Sequence, residues 1–180
     1  MMKNGKLKKN TAVGTVMTNM GFSKFCEANG IDFVSTKVGD RYVLESMLQN
    51  GYNIGGEQSG HIIFLDHSTT GDGELSGAMV LSIMKRTGEK LSDLAKIMER
   101  YPQVLINVKV SNEGKLSFYT DKEVKAEINR VTEILGDTGR ILVRVSGTEP
   151  LVRVMLEGEN LEQIQTLAEE AAQVVRERLA

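Results

Sequence analysis

The stretch Arg144-Val145-Ser146-Gly147-Thr148-Glu149-Pro150, with Arg153 three residues beyond, gathers the donors that a phosphate dianion needs. A guanidinium can bond two oxygens at once, hydroxyls add directional donors, and a glycine in a tight turn lets backbone N–H groups approach without a Cβ in the way. Arg144, Ser146, Gly147 and Thr148 supply that set within five residues. The alternative reading of the same residues is a hairpin turn whose two strand arginines lie in solvent. A second segment, Gly55-Gly56-Glu57-Gln58-Ser59-Gly60-His61, offers a carboxylate, an amide and a hydroxyl on a glycine-flanked turn. Glu57 can accept from adjacent hydroxyls of a sugar ring and Ser59 can add a donor, while the alternative is a polar hairpin loop.

Other chemistry is poorly supported. His61 and His67 stand six apart near Asp66, which is not a metal-ligand spacing. Gly71-Asp72-Gly73 is too short for a calcium loop and reads as a helix cap. There is no nucleophile elbow, no phosphate-binding P-loop, no dinucleotide fingerprint and no aspartate-rich magnesium motif, so binding chemistry is visible while no catalytic residue and no metal ligand is assigned.

The elements that must position these loops follow from hydrophobic periodicity. Residues 11–17 and 32–38 read as strands, each followed by a helix, over 21–29 and from Tyr42 to Leu48. Residues 52–55 and 61–65 read as short strands joined by the Glu57 turn. Asp72 is expected to cap a helix over 74–86, whose stripe of Leu75, Met79, Val80, Ile83 and Met84 is expected to be core, and 91–100 reads as a further helix. Pro102 disfavours helix at Tyr101 and marks a boundary between units 1–100 and 101–180. Beyond it come a strand over 104–110, a helix over 121–135, strands over 140–145 and 151–157 flanking the Ser146 turn, and a last helix opened by Asn160 and Gln163. The pattern is alternating α/β followed by compact α+β.

Composition narrows the partners. The chain has 180 residues, 41% of them apolar, with 22 Lys and Arg against 24 Asp and Glu for a net charge of -2. That balance disfavours nucleic acid as a partner. No apolar run is long enough to span a membrane, no signal-peptide core follows the lysine-rich start, and the single Cys26 can form no internal disulfide, so a cytoplasmic protein is expected.

The two loop sequences, together with Val38-Gly39-Asp40-Arg41-Tyr42-Val43 and Thr69-Thr70-Gly71-Asp72-Gly73, resemble motifs of the α-D-phosphohexomutase superfamily along essentially the whole chain. The resemblance implies the third and fourth of that family's four domains: a three-layer α/β/α sugar-binding domain, then an α+β phosphate-binding domain of TATA-box-binding-protein-like shape. It implies that Glu57 and Ser59 hold hexose hydroxyls, that Arg144, Ser146, Gly147 and Thr148 hold the phosphate not being transferred, and that Arg153 supports the loop. Val145 stands where the family usually has proline, which loosens the loop entrance and keeps every phosphate donor.

The family's phosphoserine and its magnesium loop belong to the first two domains. The chain is therefore expected to be the C-terminal part of a longer enzyme, inactive alone, with those N-terminal domains as its partners. The amino-sugar branch interconverts glucosamine 6-phosphate and glucosamine 1-phosphate, towards UDP-N-acetylglucosamine and cell-wall precursors, with Mg2+ and a hexose 1,6-bisphosphate activator. Neither is expected to bind this chain alone. Specificity for mannose or glucose phosphates and a stand-alone phosphosugar-binding module remain as alternatives, and the oligomeric state is not specified.

Overall fold

Short β-compatible runs alternate with capped helices through the first hundred residues, and that alternation builds a mixed sheet. The computed structural model describes residues 1–180, which divide into two units, Met1–Arg100 and Tyr101–Ala180. In the first, β1 (Thr11–Thr15) leads to α1 (Met20–Ala28), then β2 (Asp32–Thr36), α2 (Asp40–Asn50), β3 (Ile54–Gly56) and β4 (Ile62–Phe64). The strand order is β2-β1-β3-β4, with β1 parallel to both neighbours and β4 antiparallel to β3. Asn19 starts α1 by accepting from the Gly21 N–H, and Gly51 ends α2 in the left-handed region at φ 71°.

Side-chain alternation along β1 sends Val13 to one face, where it packs with Val43 and Met47 of α2 and with Ile63 of β4. A Cβ on Gly55 would lie 2.6 Å from Met47 Sδ and 2.7 Å from Val43 Cγ1, so β3 needs glycine for α2 to sit this close. On the opposite face Phe22 of α1 meets Phe33 of β2 edge-on, with ring centroids 5.5 Å apart. The sheet thus lies between α1 and α2. At its N-terminal edge the buried Asn53 accepts from Lys8 N–H and donates to Lys6 O and to Asp66, and Asp66 also pairs with Lys8 Nζ at 2.5 Å.

Two expectations need correction. Asp72 caps α3 (Gly73–Thr87) as expected, its side chain accepting from Leu75 N–H, but α3 buries none of its residues. Leu75, Met79 and Met84 are half-buried, Val80 and Ile83 are exposed, and the stripe is not core. Periodicity shows that a helix has an apolar face, not what covers it. The next helix, α4, is the single turn Leu91–Leu94 rather than 91–100. It has no capping side chain and no buried residue, and so short a helix needs such support to extend.

The second unit runs β5 (Gln103–Lys109), α5 (Asn112–Ser117), α6 (Lys122–Leu135), β6 (Gly139–Val145), β7 (Leu151–Gly158) and α7 (Leu161–Leu179). Its antiparallel sheet has the order β5-β7-β6. Every second residue faces a large core: Val108 from β5 and Val152, Val154 and Leu156 from β7 pack with Val131 and Leu135 of α6 and Ile164, Ala168 and Val175 of α7. The other face carries cross-strand rows: Arg140, Glu157 and Gln103, then Leu142, Met155 and Leu105, then Arg144, Arg153 and Asn107. Asn160 caps α7 by accepting from Gln163 N–H, and Asp121 caps α6 through Val124 N–H. No helix is long and apolar enough to cross a membrane.

Candidate functional site

The antiparallel pair β3 and β4 is joined by a turn that Glu57 N–H closes onto His61 O at 2.8 Å and Gly60 N–H onto Glu57 O at 3.0 Å. Glu57 sits at the sheet end, and one of its carboxylate oxygens accepts the Gly39 N–H at 2.9 Å. That bond fixes the side chain and leaves the second oxygen able to accept from a hydroxyl. Ser59 is exposed at the tip of the turn. Glu57 also lines a cavity of about 350 Å3, walled by apolar groups of Ala12, Phe22, Ile54 and Ile62. Sequence reasoning had no independent route to the Gly39 contact, because it joins residues 18 apart across the sheet; the only signal was the Val38–Val43 motif.

In the second unit β6 and β7 are joined by the other loop. Ser146 N–H donates to Leu151 O at 2.8 Å, Leu151 N–H donates to Glu149 O at 2.8 Å, and Glu149 N–H donates to Ser146 Oγ at 3.2 Å. Ser146 is buried, and its hydroxyl, accepting from the loop, keeps its own O–H to give. Gly147 and Thr148 are exposed at the tip, and a Cβ on Gly147 would meet no atom within 4 Å. The loop's own packing therefore does not demand glycine there; an approaching ligand would.

Beneath the loop, the hairpin register sets Arg144 directly opposite Arg153. Like charges in that position repel and normally destabilise a sheet. Burial lowers the Arg144 pKa, and the Arg153 charge lowers it further. No carboxylate pairs with Arg144, whereas Arg153 Nη2 is held by Glu149 Oε2 at 2.8 Å and its buried Nε has no partner. Two further lysines, absent from the sequence-based selection, join this end of the sheet: Lys115 Nζ donates to Glu149 O at 3.0 Å, and Lys109 pairs in register with Leu151. Their place depends on strand register and on α5, neither of which periodicity reveals. The result is a concentration of positive charge, hydroxyls and open backbone that suits an anion.

No three His, Cys, Asp or Glu side chains come together as a group that could hold a metal ion.

The profile for phosphoglucomutase/phosphomannomutase α/β/α domain III matches residues 1–101, and that for the C-terminal domain of the same family matches residues 105–174. The phosphoglucosamine mutase of Caldanaerobacter subterraneus subsp. tengcongensis is 53% identical over 179 residues, covering 99% of this chain and 40% of that protein. The Clostridioides difficile phosphoglucosamine mutase is 51% identical over 180 residues, covering 100% of this chain and again 40% of its own length. The chain thus spans about 40% of the length of these curated relatives. Among solved structures, Aspergillus fumigatus N-acetylphosphoglucosamine mutase in complex with GlcNAc-6P and magnesium superposes with a TM-score of 0.80 at 19% identity, over 94% of this chain and 39% of that one, a likeness of fold. With both profiles matched in order over nearly the whole sequence, the chain belongs to the phosphoglucomutase/phosphomannomutase family, as its α/β/α domain III followed by its C-terminal domain.

Proposed function

We propose that the whole protein interconverts glucosamine 6-phosphate and glucosamine 1-phosphate, and that this chain supplies its sugar-hydroxyl and phosphate binding. The observation that carries the reading is Arg144: partly buried, without a carboxylate, and opposite a second arginine under an open glycine turn. A group left in that state is stabilised by an anion, and a phosphate is the anion whose geometry suits two guanidiniums, two hydroxyls and a turn's N–H groups. The identity of about 51–53% to phosphoglucosamine mutases supports the amino sugar as substrate.

In this reading Arg144, Ser146, Gly147 and Thr148 grip the phosphate that is not being transferred, with Arg153 behind them. Glu57, fixed by Gly39, accepts from ring hydroxyls, and Ser59 adds a hydroxyl from the turn tip. A bisphosphorylated intermediate must present first one phosphate and then the other to the reacting groups. A loop that holds phosphate by charge and N–H donors, without reading its point of attachment, serves both orientations. Binding to it fixes the sugar and raises the effective concentration of the reacting end. Magnesium and a hexose 1,6-bisphosphate activator are assigned in this reading to the whole protein rather than to this chain alone. The chain by itself is proposed to bind without turning over, since none of its residues is assigned to phosphoryl transfer. The product would feed UDP-N-acetylglucosamine and cell-wall precursor synthesis in the cytoplasm.

The test is titration of the chain with glucosamine 6-phosphate, alongside turnover by the whole protein with Mg2+ and a hexose 1,6-bisphosphate. Arg144→Ala removes two charge-assisted hydrogen bonds and is expected to weaken phosphate binding roughly 10- to 100-fold. Unchanged affinity and turnover in that variant would remove the basis of the reading.

A further inference from the structure

Glu149 holds an unusual position in the anion loop. It places a carboxylate 2.8 Å from Arg153 Nη2, inside a cluster whose other side chains are cationic or neutral donors. Its backbone is pinned at both ends: its N–H donates to Ser146 Oγ, and its carbonyl accepts from Lys115 Nζ and Leu151 N–H. The side chain is thereby aimed at Arg153, four residues on, across the mouth of the loop. The carboxylate itself is about half exposed, with 52% relative side-chain exposure, against 30% for Arg153.

The arginine it holds is incompletely satisfied. Arg153 Nε is shut away from solvent with no acceptor, and Arg144 faces it across the strand pair. A guanidinium in that state has a strained balance of contacts: one carboxylate, one like charge and one orphaned donor. An exposed ion pair of this type contributes little, since solvent screens it and two long side chains must be ordered to make it. A doubly charged phosphate oxygen cluster, gripped by several donors at once, is a stronger acceptor than one half-exposed carboxylate.

We propose that Glu149 is a stand-in anion: it occupies Arg153 in the ligand-free loop, and an incoming phosphate takes the arginine by displacing it. Arg153 then has two states, parked on Glu149 with Nε unmet, and swung towards Arg144 and the phosphate. The device has a clear use, resting on the phosphate-binding function proposed above. A loop that must release a phosphate so that the sugar can turn should not hold it as tightly as its cations allow. An internal competitor sets the grip lower and speeds release. Glu149 is in these terms a positioning residue, acting through Arg153.

The experiment uses the full chain and inorganic phosphate as the probe, with affinity read by calorimetry and the Arg153 Nε–H followed by NMR. Glu149→Gln is expected to bind phosphate about two- to fivefold more tightly, the range an exposed pair of this kind implies. Glu149→Asp, which keeps the charge and shortens the reach, is expected to tighten binding as well, separating contact from the general field. In the Arg153→Ala background, Glu149→Gln should then change nothing. In the unsubstituted chain, phosphate should shift the Nε–H signal; in Glu149→Gln that signal should already have moved before phosphate is added. Equal or weaker phosphate binding by both Glu149 variants, or the same gain without Arg153, overturns the proposal while leaving the phosphate loop intact. Absence of phosphate binding in the unsubstituted chain overturns the loop's function and this device together.

Discussion

The two candidate loops are built alike and charged in opposite ways. Each joins an antiparallel strand pair, β3 with β4 and β6 with β7, and each is closed by backbone bonds across its base. In the first loop the charged group is already engaged, since Glu57 accepts the Gly39 N–H. In the second, Arg144 has no counter-charge and faces Arg153. The difference follows from what each must bind. A neutral hydroxyl is recognised by a directional acceptor held in place, so prior anchoring helps. A phosphate dianion is recognised by charge, and charge neutralised in advance is largely lost to the ligand.

That contrast would mean less if this sheet face paired no strand arginine with a strand carboxylate, but it does so two rows below the Arg144 row. Glu157 is fully buried and pairs with Arg140 on the same face, Oε2 lying 2.7 Å from Arg140 Nη2 and 2.8 Å from Nε. Removing that carboxylate is the largest perturbation expected. Glu157→Gln removes the fully buried carboxylate from its pair with Arg140 and is expected to lower the stability of the second unit by about 3 kcal/mol, read by denaturant titration. Loss of that size confirms that arginines in this sheet are paired when structure alone is served. A negligible loss would erase the distinction between Arg140 and Arg144.

A second way to sharpen the contrast acts on the backbone of the anion loop. Gly147→Ala is expected to leave the melting temperature unchanged, because its new Cβ meets no atom within 4 Å. The same methyl would stand where a phosphate approaches the turn, so inorganic phosphate binding is expected to weaken about tenfold. A stable variant with unchanged affinity would show that the ligand does not approach over Gly147.

How far these features were legible in the sequence depends on the range of the interaction that creates them. Local signals were readable: the Asp72 and Asn160 caps each bond within their own first turn, and the apolar-rich runs 140–145 and 151–157 mark β6 and β7. The α/β class followed from those elements. Register was not readable from spacing, so neither the Arg144–Arg153 apposition nor the burial of Glu157, which looks like a polar strand end, was foreseen. The α5 helix was missed because six residues containing Gly114 carry little periodic signal, and its Ser111 cap is needed to find it. The α3 stripe failed for the converse reason: its amphipathic pattern is clear, but its exposure depends on tertiary packing.

For the first loop, Glu57→Gln tests whether an anchored carboxylate matters as a charge. The amide keeps an oxygen for the Gly39 N–H, so the turn should survive, while acceptance from a sugar hydroxyl weakens. An approximately fivefold loss of glucosamine 6-phosphate affinity is expected, with inorganic phosphate binding unaffected. If both ligands weaken equally, the division of labour between the loops is wrong.

The smallest effect concerns how each unit responds to acid. In the first, the hydrogen bond from Lys8 and then that from Asn53 hold the Asp66 carboxyl below its usual pKa. In the second, the Val124 N–H and then Arg178 do the same for Asp121 at the start of α6. A carboxylate with a depressed folded-state pKa binds fewer protons folded than unfolded. Its stabilisation is complete above the unfolded value of about 4 and disappears as pH falls through the lower folded value. Both units should therefore lose stability on the acid side of pH 4, and the loss should be separable. Asp66→Asn is expected to lower the first unit's stability modestly at neutral pH, because the Lys8 pair is exposed, and to flatten its acid limb. The second unit's acid limb should persist, since Asp121 keeps its partners. NMR signals from each sheet, followed from neutral pH downwards, separate the two responses, and parallel flattening of both limbs by Asp66→Asn would show that acid sensitivity is shared rather than local.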